Sequence, residues 1–162
     1  MTLTTILPTL RRSIPDPLDS NRWPERTRAT TTDVVVCGVS LLGLVELCGT
    51  PCVHSAAGAA PGTGGRPSPL FDASAVVLRI TEVLHSAEGA TLVLLDGRLD
   101  HPGTAWGELR LIGRASTAHD APATVLGGAE RSASVELPAD VRPGDLLAVP
   151  VRGVPCLREL RG

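Results

Sequence analysis

The chain has 162 residues, which is enough for one domain with a substantial buried core. Its composition, 43% hydrophobic and 20% charged, excludes a globally disordered chain. A net charge of −2 and an aromatic content of 2% exclude the positive field and the stacking surfaces that nucleic acids require. No apolar run reaches the roughly 18 residues of a transmembrane helix, so we expect neither a nucleic acid nor a membrane among the partners.

The start of the chain and its basic residues bear on location and chemistry. The first twenty residues lack the charged start and apolar core of a secretion signal, so we expect a cytoplasmic protein. All 15 basic residues are Arg, and Lys is absent. Because Arg stays protonated and is not a usable nucleophile, no side-chain amine can form a Schiff base with an aldehyde.

In chain order, the first elements are an arm, a strand and a helix. Residues 1–32 are predicted to be an irregular arm, because four prolines interrupt any helix there. In the next segment, 33–54, the stretch "DVVVC" (33–37) predicts a short buried strand. A helix follows, with Ser40 as its cap and Gly49 as its stop. We expect the segment 33–54 to pack on the rest of the domain.

The second half is predicted to be a linker followed by strands. Residues 55–69 contain four glycines and three prolines, a composition typical of a linker. From 70 to 162, short alternating segments separated by turns predict six or seven strands, and the first two, 75–85 and 91–96, would pair antiparallel. The expected fold is mainly β, a small antiparallel barrel or sandwich of about six to eight strands with one short amino-terminal helix.

Three stretches, taken together and in order, resemble one enzyme family. They are "VVVCGVSLLGLVELCGTPCVH" (34–54), "AVVLRITEVLHSAEGATLVLLDGRLD" (75–100) and "VELPADVRPGDLLAVPVRG" (135–153). The first is similar to the opening of the diaminopimelate and ornithine decarboxylases, the fold-type III enzymes that use pyridoxal phosphate (PLP). The other two resemble the first hairpin and the closing strand pair of that family's carboxyl-terminal β domain.

The resemblance implies a β domain that has lost its catalytic α/β barrel. The barrel belongs between Val53 and about Pro69, where this chain has only the predicted linker. The amino-terminal strand of the family is part of the β domain, so we expect residues 33–37 to join the strands that follow Ala75. The PLP lysine and the phosphate loop belong to the barrel. The resemblance therefore implies no cofactor and no decarboxylation by this chain alone.

The family's β domain donates residues to a neighbouring active site, and this chain keeps them only in part. At the first such element it reads "GGAERSAS" (127–134), which retains Glu130 and Ser132 loosely. At the second, Val154-Pro155 replaces Ala-Tyr. The resemblance makes Glu130 a candidate catalytic residue, and Arg131 and Ser132 candidate ligand contacts. The alternative for Glu130 and Arg131 is a charge pair at a strand edge.

Two further candidates lie after the second strand of the predicted hairpin. His101 is on a loop near the side where the family's β domain faces its active site, and it could form an acid–base pair with Asp96 or Asp100. The alternative is a solvated loop histidine. Trp106 is a candidate ligand contact, and its alternative is a core or interface aromatic.

Cys48, Cys52 and His54 form a C-x3-C-x-H pattern. Structural zinc sites use four such ligands, and no second cysteine pair is present to complete the set. We therefore interpret the cysteines as buried small hydrophobic residues and expect no metal.

Three functions remain open. The first is a non-catalytic binding or interaction module that forms a homodimer or pairs with a biosynthetic enzyme and that binds a small molecule. The second is a repurposed small barrel that isomerises or cyclises a metabolite without a cofactor. The third is a decayed fragment. A pocket of a few hundred Å³ containing Glu130 or His101 would favour the enzyme, whereas an exposed apolar face would favour the module, which we prefer.

Overall fold

The computed structural model describes residues 2–127 and 132–162, and these ranges are mainly β, as predicted. Their α-helices are Leu3–Ile6 (α1), Leu41–Cys48 (α2) and Leu157–Arg161 (α3), with 3-10 turns at Pro8–Arg12 and Trp106–Glu108. Their strands are Thr27–Ala29 (β1), Val34–Val36 (β2), Val39–Ser40 (β3), Cys52–Ala59 (β4), Pro67–His85 (β5), Thr91–Leu95 (β6), Arg110–Ile112 (β7), Asp120–Leu126 (β8), Ser132–Pro138 (β9) and Leu146–Arg152 (β10). None of the helices in these ranges is both long and apolar enough to cross a membrane.

Seven strands form one curled sheet that closes about half of a barrel. The hydrogen-bonded order is β7-β10-β5-β6-β8-β9, and β4 also pairs with β5. The predicted antiparallel hairpin of β5 and β6 is confirmed. The predicted antiparallel pairing holds for the other strand pairs of this sheet, whereas β6 and β8 are parallel. A parallel pair needs a crossover of a dozen or more residues, and the segment 96–119 supplies it.

Strand β5 organises the interior because the middle of the strand is buried on both faces. Val76, Leu78 and Ile80 point into a main core shared with β6, β8, β9 and β10. Ala75 and Val77 point to the opposite side, into a second core shared with β2 and α2. The alternation predicted for this strand therefore separates two cores, and the amino-terminal elements cover the second one.

Helix α2 is capped as predicted. The Ser40 hydroxyl accepts a hydrogen bond from the Gly43 N–H at 3.0 Å, which satisfies a free donor of the first turn. At the other end, Gly49 has a φ of 71°, in the left-handed region that favours glycine. These two local signals fix the ends of the helix.

Strand β2 forms as predicted, but it does not join the strands after Ala75. It pairs with β1 on one edge and β3 on the other, and the three make a separate small sheet. Since both edges are occupied, β2 contributes to the domain through its face. Val34 and Val36 are fully buried in the second core, against Ala75 and Val77. Strand β2 therefore contacts the main sheet by side-chain packing and not by the strand pairing that was predicted.

The predicted linker at 55–69 is wrong over most of its length. Strand β4 runs through Ala59 and pairs with β5 from its start at Pro67, so only residues 60–66 connect the two strands. Small residues such as Ala56 and Ala57 have low strand propensity alone, but pairing with β5 supplies the hydrogen bonds. The arm at 1–32 is also more ordered than predicted, because it contains α1 and β1 and buries Trp23 completely.

Candidate functional site

The loop after β6 is fixed at both ends, and it carries three of the six candidate residues. The Arg98 N–H donates to the Leu160 carbonyl at 2.8 Å, which ties the loop to α3. The Arg152 N–H donates to the Gly103 carbonyl at 2.9 Å, and the Ala105 N–H donates to the Pro150 carbonyl at 3.0 Å. The last two bonds continue the hydrogen bonding of β10 onto the loop. The side chains of the loop therefore have defined positions.

His101 is half-buried at the turn of this loop. Its Nδ1 accepts a hydrogen bond from the Gly103 N–H at 3.1 Å, so in the neutral ring the proton lies on Nε2. The ring also lies against Gly153, where an added Cβ would approach Nε2 to 3.4 Å. His101 lines an open depression of about 870 Å³ between residues 98–102 and 155–162, which we call the loop cleft. The cleft also contains the exposed Cys156.

Asp96 acts as a structural acceptor in this fold. One carboxylate oxygen accepts the Arg79 N–H at 2.8 Å, and the other accepts the Thr50 hydroxyl. The side chain therefore links β5 to the turn that precedes β4. Among the described residues, neither Asp96 nor the exposed Asp100 forms a hydrogen bond or an ion pair with His101, so the expected acid–base pairs are not assembled.

The remaining sequence candidates lie apart from His101 or outside the described residues. Trp106 is partly buried and packs against the main core, where its ring covers Gly127. Ser132 is exposed at the first position of β9 and pairs with Leu126. Glu130 and Arg131, the other two candidates from the resemblance, lie outside the described residues.

The C-x3-C-x-H residues have three different environments. Cys48 is exposed at the end of α2, whereas Cys52 is only 3% exposed in the second core. Burial, with a smaller contribution from the charge at Cys48, raises the pKa of Cys52 to about 11, which disfavours the thiolate that metals bind. His54 is half-buried on β4. No group of three or more metal-ligating side chains is found within 2–127 and 132–162.

A second cavity, which sequence reasoning missed, lies on the other side of the same loop. It encloses about 320 Å³ between residues 19–23 of the arm, the β4–β5 connection, residues 103–105 and Arg152. We call it the aromatic pocket. Phe71 forms one wall, and the guanidinium carbon of Arg152 lies 4.2 Å from the centre of its ring. The buried Trp23 contributes to the interior. The pocket thus combines aromatic surface with a cation.

A third cavity, of about 310 Å³, lies where the arm covers the gap between the edge strands β7 and β9, and we call it the seam cavity. Arg11 and Arg114 line it, and both are already paired. Arg11 lies 2.6 Å from the Asp120 carboxylate and 3.1 Å from that of Asp16. Burial opposes the charge of Arg11, but these carboxylates outweigh it and raise its pKa.

Arg114 is held in the same way by the turn that precedes β10. It donates two hydrogen bonds to the buried Asp145 carboxylate, at 2.9 and 2.7 Å, one to the Asp140 carboxylate at 3.0 Å and one to the Asp140 carbonyl at 2.8 Å. The bidentate geometry with Asp145 is the strong form of this interaction. The charges of both arginines are therefore used to hold the fold together across the seam.

Neither a scan against models of known protein families nor a search of curated proteins gave a match to this chain. The features that bear on function are therefore the two cavities that flank the 97–105 loop and the chemistry that the residue types allow.

Proposed function

We propose that this protein is a non-catalytic binding and interaction module, with a decarboxylase-like β domain, that acts in small-molecule biosynthesis without PLP. The observation that carries this proposal is the absence of Lys from the whole sequence. A PLP enzyme holds its cofactor as a Schiff base on a lysine, and an Arg cannot replace it. The protein would retain the ability to bind, through cavities at the loop, without the ability to decarboxylate.

The family origin rests on the order of the three similar stretches. The antiparallel hairpin of β5 and β6 supports it. The closing stretch forms two strands, β9 and β10, but they pair with other strands and not with each other. The strand at 33–37 and the segment at 55–69 do not behave as the resemblance implies. The binding proposal does not depend on either element, because it follows from the residue types and the cavities.

Incubation with PLP tests the negative part of the proposal directly. After free PLP is removed by desalting, we expect no stable aldimine band between about 330 and 430 nm from a side chain, and no increase in side-chain mass after borohydride reduction, because no side-chain amine is present to form the aldimine. Peptide mapping would separate a side-chain adduct from one at the amino terminus. A stable adduct on a side chain would overturn the proposal.

The interaction part is supported by exposed apolar side chains on the arm. Four side chains of residues 3–14 are between 43% and 56% exposed, namely Leu3, Ile6, Leu7 and Ile14. Large apolar side chains that stay exposed on one short segment can contribute to an interface, and we propose a homodimer as their first use. Light scattering after size-exclusion chromatography should give twice the mass of one chain, and the double change Ile6→Glu and Leu7→Glu should return it to one. The same measurement on mixtures with biosynthetic enzymes tests a hetero-complex.

A second candidate is a cofactor-independent small-barrel enzyme that isomerises or cyclises a metabolite. The position of His101 in the loop cleft favours it, since a half-buried imidazole whose Nε2 has no hydrogen-bond partner among the described residues can transfer protons. Incubation with a panel of amino-acid and keto-acid intermediates, followed by NMR, should reveal turnover that His101→Gln abolishes. Turnover that is unchanged in His101→Gln would reject this assignment.

A further inference from the structure

We propose that the aromatic pocket binds a small organic anion, in which a carboxylate or phosphate group is attached to a planar apolar body. This inference deepens the proposed binding function and rests on it. It depends on three features of the pocket: an aromatic wall, a guanidinium that forms no ion pair with any described residue, and a size that suits one small molecule.

The aromatic wall is built into the β4–β5 pair. The ring of Phe71 lies directly across Gly58, so closely that a Cβ added at Gly58 would come within 2.2 Å of it. Only glycine leaves room for the ring at that position. The chain has a single Phe and no Tyr, and this one ring is placed at the wall of a cavity. The ring and the guanidinium of Arg152 stacked over it together form a flat surface against which a planar group can pack.

The charge in the pocket comes from Arg152. Its guanidinium stacks on Phe71, yet among the described residues it forms no ion pair and donates no side-chain hydrogen bond. The other charged groups of the pocket, Asp19 and Arg22, face each other at 3.8 Å. Two arginines and one aspartate leave a net charge of +1, which favours an anion. A guanidinium offers donors in the planar arrangement that matches a carboxylate or a phosphate.

The backbone of this region is held in place before any ligand arrives. Arg152 pairs with Ala73 at the end of β10, and its N–H is bonded to Gly103. Phe71 is only two residues from Ala73 on the same strand, β5. The cation and the ring therefore come from neighbouring paired strands, so binding needs little ordering of the backbone. A cavity of about 320 Å³ lies at the small end of the range for ligand pockets, which limits the ligand to a compact molecule.

Isothermal titration with three probes separates the contributions. Phenyl phosphate carries both the ring and the anion, inorganic phosphate carries only the anion, and benzamide carries only the ring. We expect phenyl phosphate to bind at least about tenfold more tightly than either of the others, because it alone uses both features. Benzoate in place of phenyl phosphate distinguishes a carboxylate from a phosphate as the preferred group.

Variants assign the binding to the two residues. Arg152→Gln should weaken phenyl phosphate binding by at least about tenfold, because a charge-assisted contact is lost. Arg28→Gln is the matched control, since Arg28 is exposed on β1 and has no ion pair within the described ranges; it should leave binding unchanged. Gly58→Ala should displace the Phe71 ring and reduce phenyl phosphate binding to the level of inorganic phosphate. If Gly58→Ala does not fold, Phe71→Leu makes the same test.

The inference is overturned if phenyl phosphate fails to bind, or if Arg152→Gln and Arg28→Gln weaken it equally. Either result leaves the borohydride experiment unaffected, so a pocket that binds no anion can be told apart from a protein that forms a PLP adduct. Equal affinity for phenyl phosphate and inorganic phosphate would reject the stacking component of the proposal.

Discussion

The seam cavity and the aromatic pocket are similar in volume, and both are lined by arginines, yet the arginines are used differently. In the seam, Arg11 and Arg114 are paired with carboxylates from the arm, from β8 and from the turn before β10, and Arg110 donates to the carbonyls of Asp16 and Pro17. In the pocket, Arg152 is exposed and stacks on a ring, and it has neither an anionic partner nor a carbonyl acceptor within the described ranges. Paired arginines stabilise a fold, whereas an unpaired one beside a cavity is available to a ligand. The following predictions test that difference.

Replacing Arg114 by Ala should have the largest effect on stability. The change leaves the Asp145 carboxylate buried without its bidentate partner, and we expect a loss of about 3 kcal/mol in the free energy of unfolding. Urea denaturation measures it. Arg28→Ala serves as the control, with an expected change within about 0.5 kcal/mol. Equal losses in the two variants would show that the seam arginines do not hold the fold.

Replacing Arg11 by Ala should have the next largest effect, about 2 kcal/mol. Arg11 connects the arm to the sheet, since it donates to the Ala118 carbonyl at 3.1 Å and to Asp120 at 2.6 Å. Because the change frees the arm, hydrogen exchange should increase in residues 2–16 more than in β5. Unchanged exchange in the arm would contradict this role.

Local signals in the sequence were sufficient for the elements that carry their own caps or alternation. Ser40 and Gly49 mark α2, and the alternation of Val76 to Ile80 marks β5 with both of its buried faces. Strand β4 could not be predicted, because its small residues become a strand only through pairing with β5. The parallel pairing of β6 with β8 is likewise decided by the long crossover between them and not by either strand.

Local sequence signals predict even less of the candidate site than of the strands. The sequence placed His101 correctly on a loop, but the acceptor role of Asp96 depends on Thr50 and on the backbone of Arg79, which are distant along the chain. The aromatic pocket combines five separated segments, and Phe71 lies two residues after a stretch whose composition predicts a linker. No local pattern connects such residues, because only the fold brings them together.

Acid should weaken the contacts across the seam. Burial tends to raise the pKa of Asp140, but the Ser116 hydroxyl and the Arg114 guanidinium outweigh it and lower the pKa below the ordinary value. A carboxyl with a lowered pKa in the folded state stabilises the fold above the unfolded pKa of about 4. That stability is lost as the pH falls through the folded value, since the unfolded chain then binds more protons.

The expected size of this effect is below about 1 kcal/mol, because the Asp140 side chain is 46% exposed and solvent screens its charge. Urea denaturation at several pH values between 6 and 3 should give a shallower decline for Asp140→Asn than for the unaltered protein. Parallel curves for the two proteins would show that this carboxylate does not contribute to the acid response.

Replacing Arg152 by Gln should have the smallest effect on stability and the clearest effect on binding. The side chain is exposed and forms no ion pair within the described ranges, so its loss removes only the stacking on Phe71 and should change the free energy of unfolding by less than about 0.5 kcal/mol. Urea denaturation without ligand measures the change in the free energy of unfolding, and titration with phenyl phosphate measures the change in affinity. A loss of stability comparable to that of Arg114→Ala would place Arg152 with the structural arginines, and the distinction between the two cavities would then disappear.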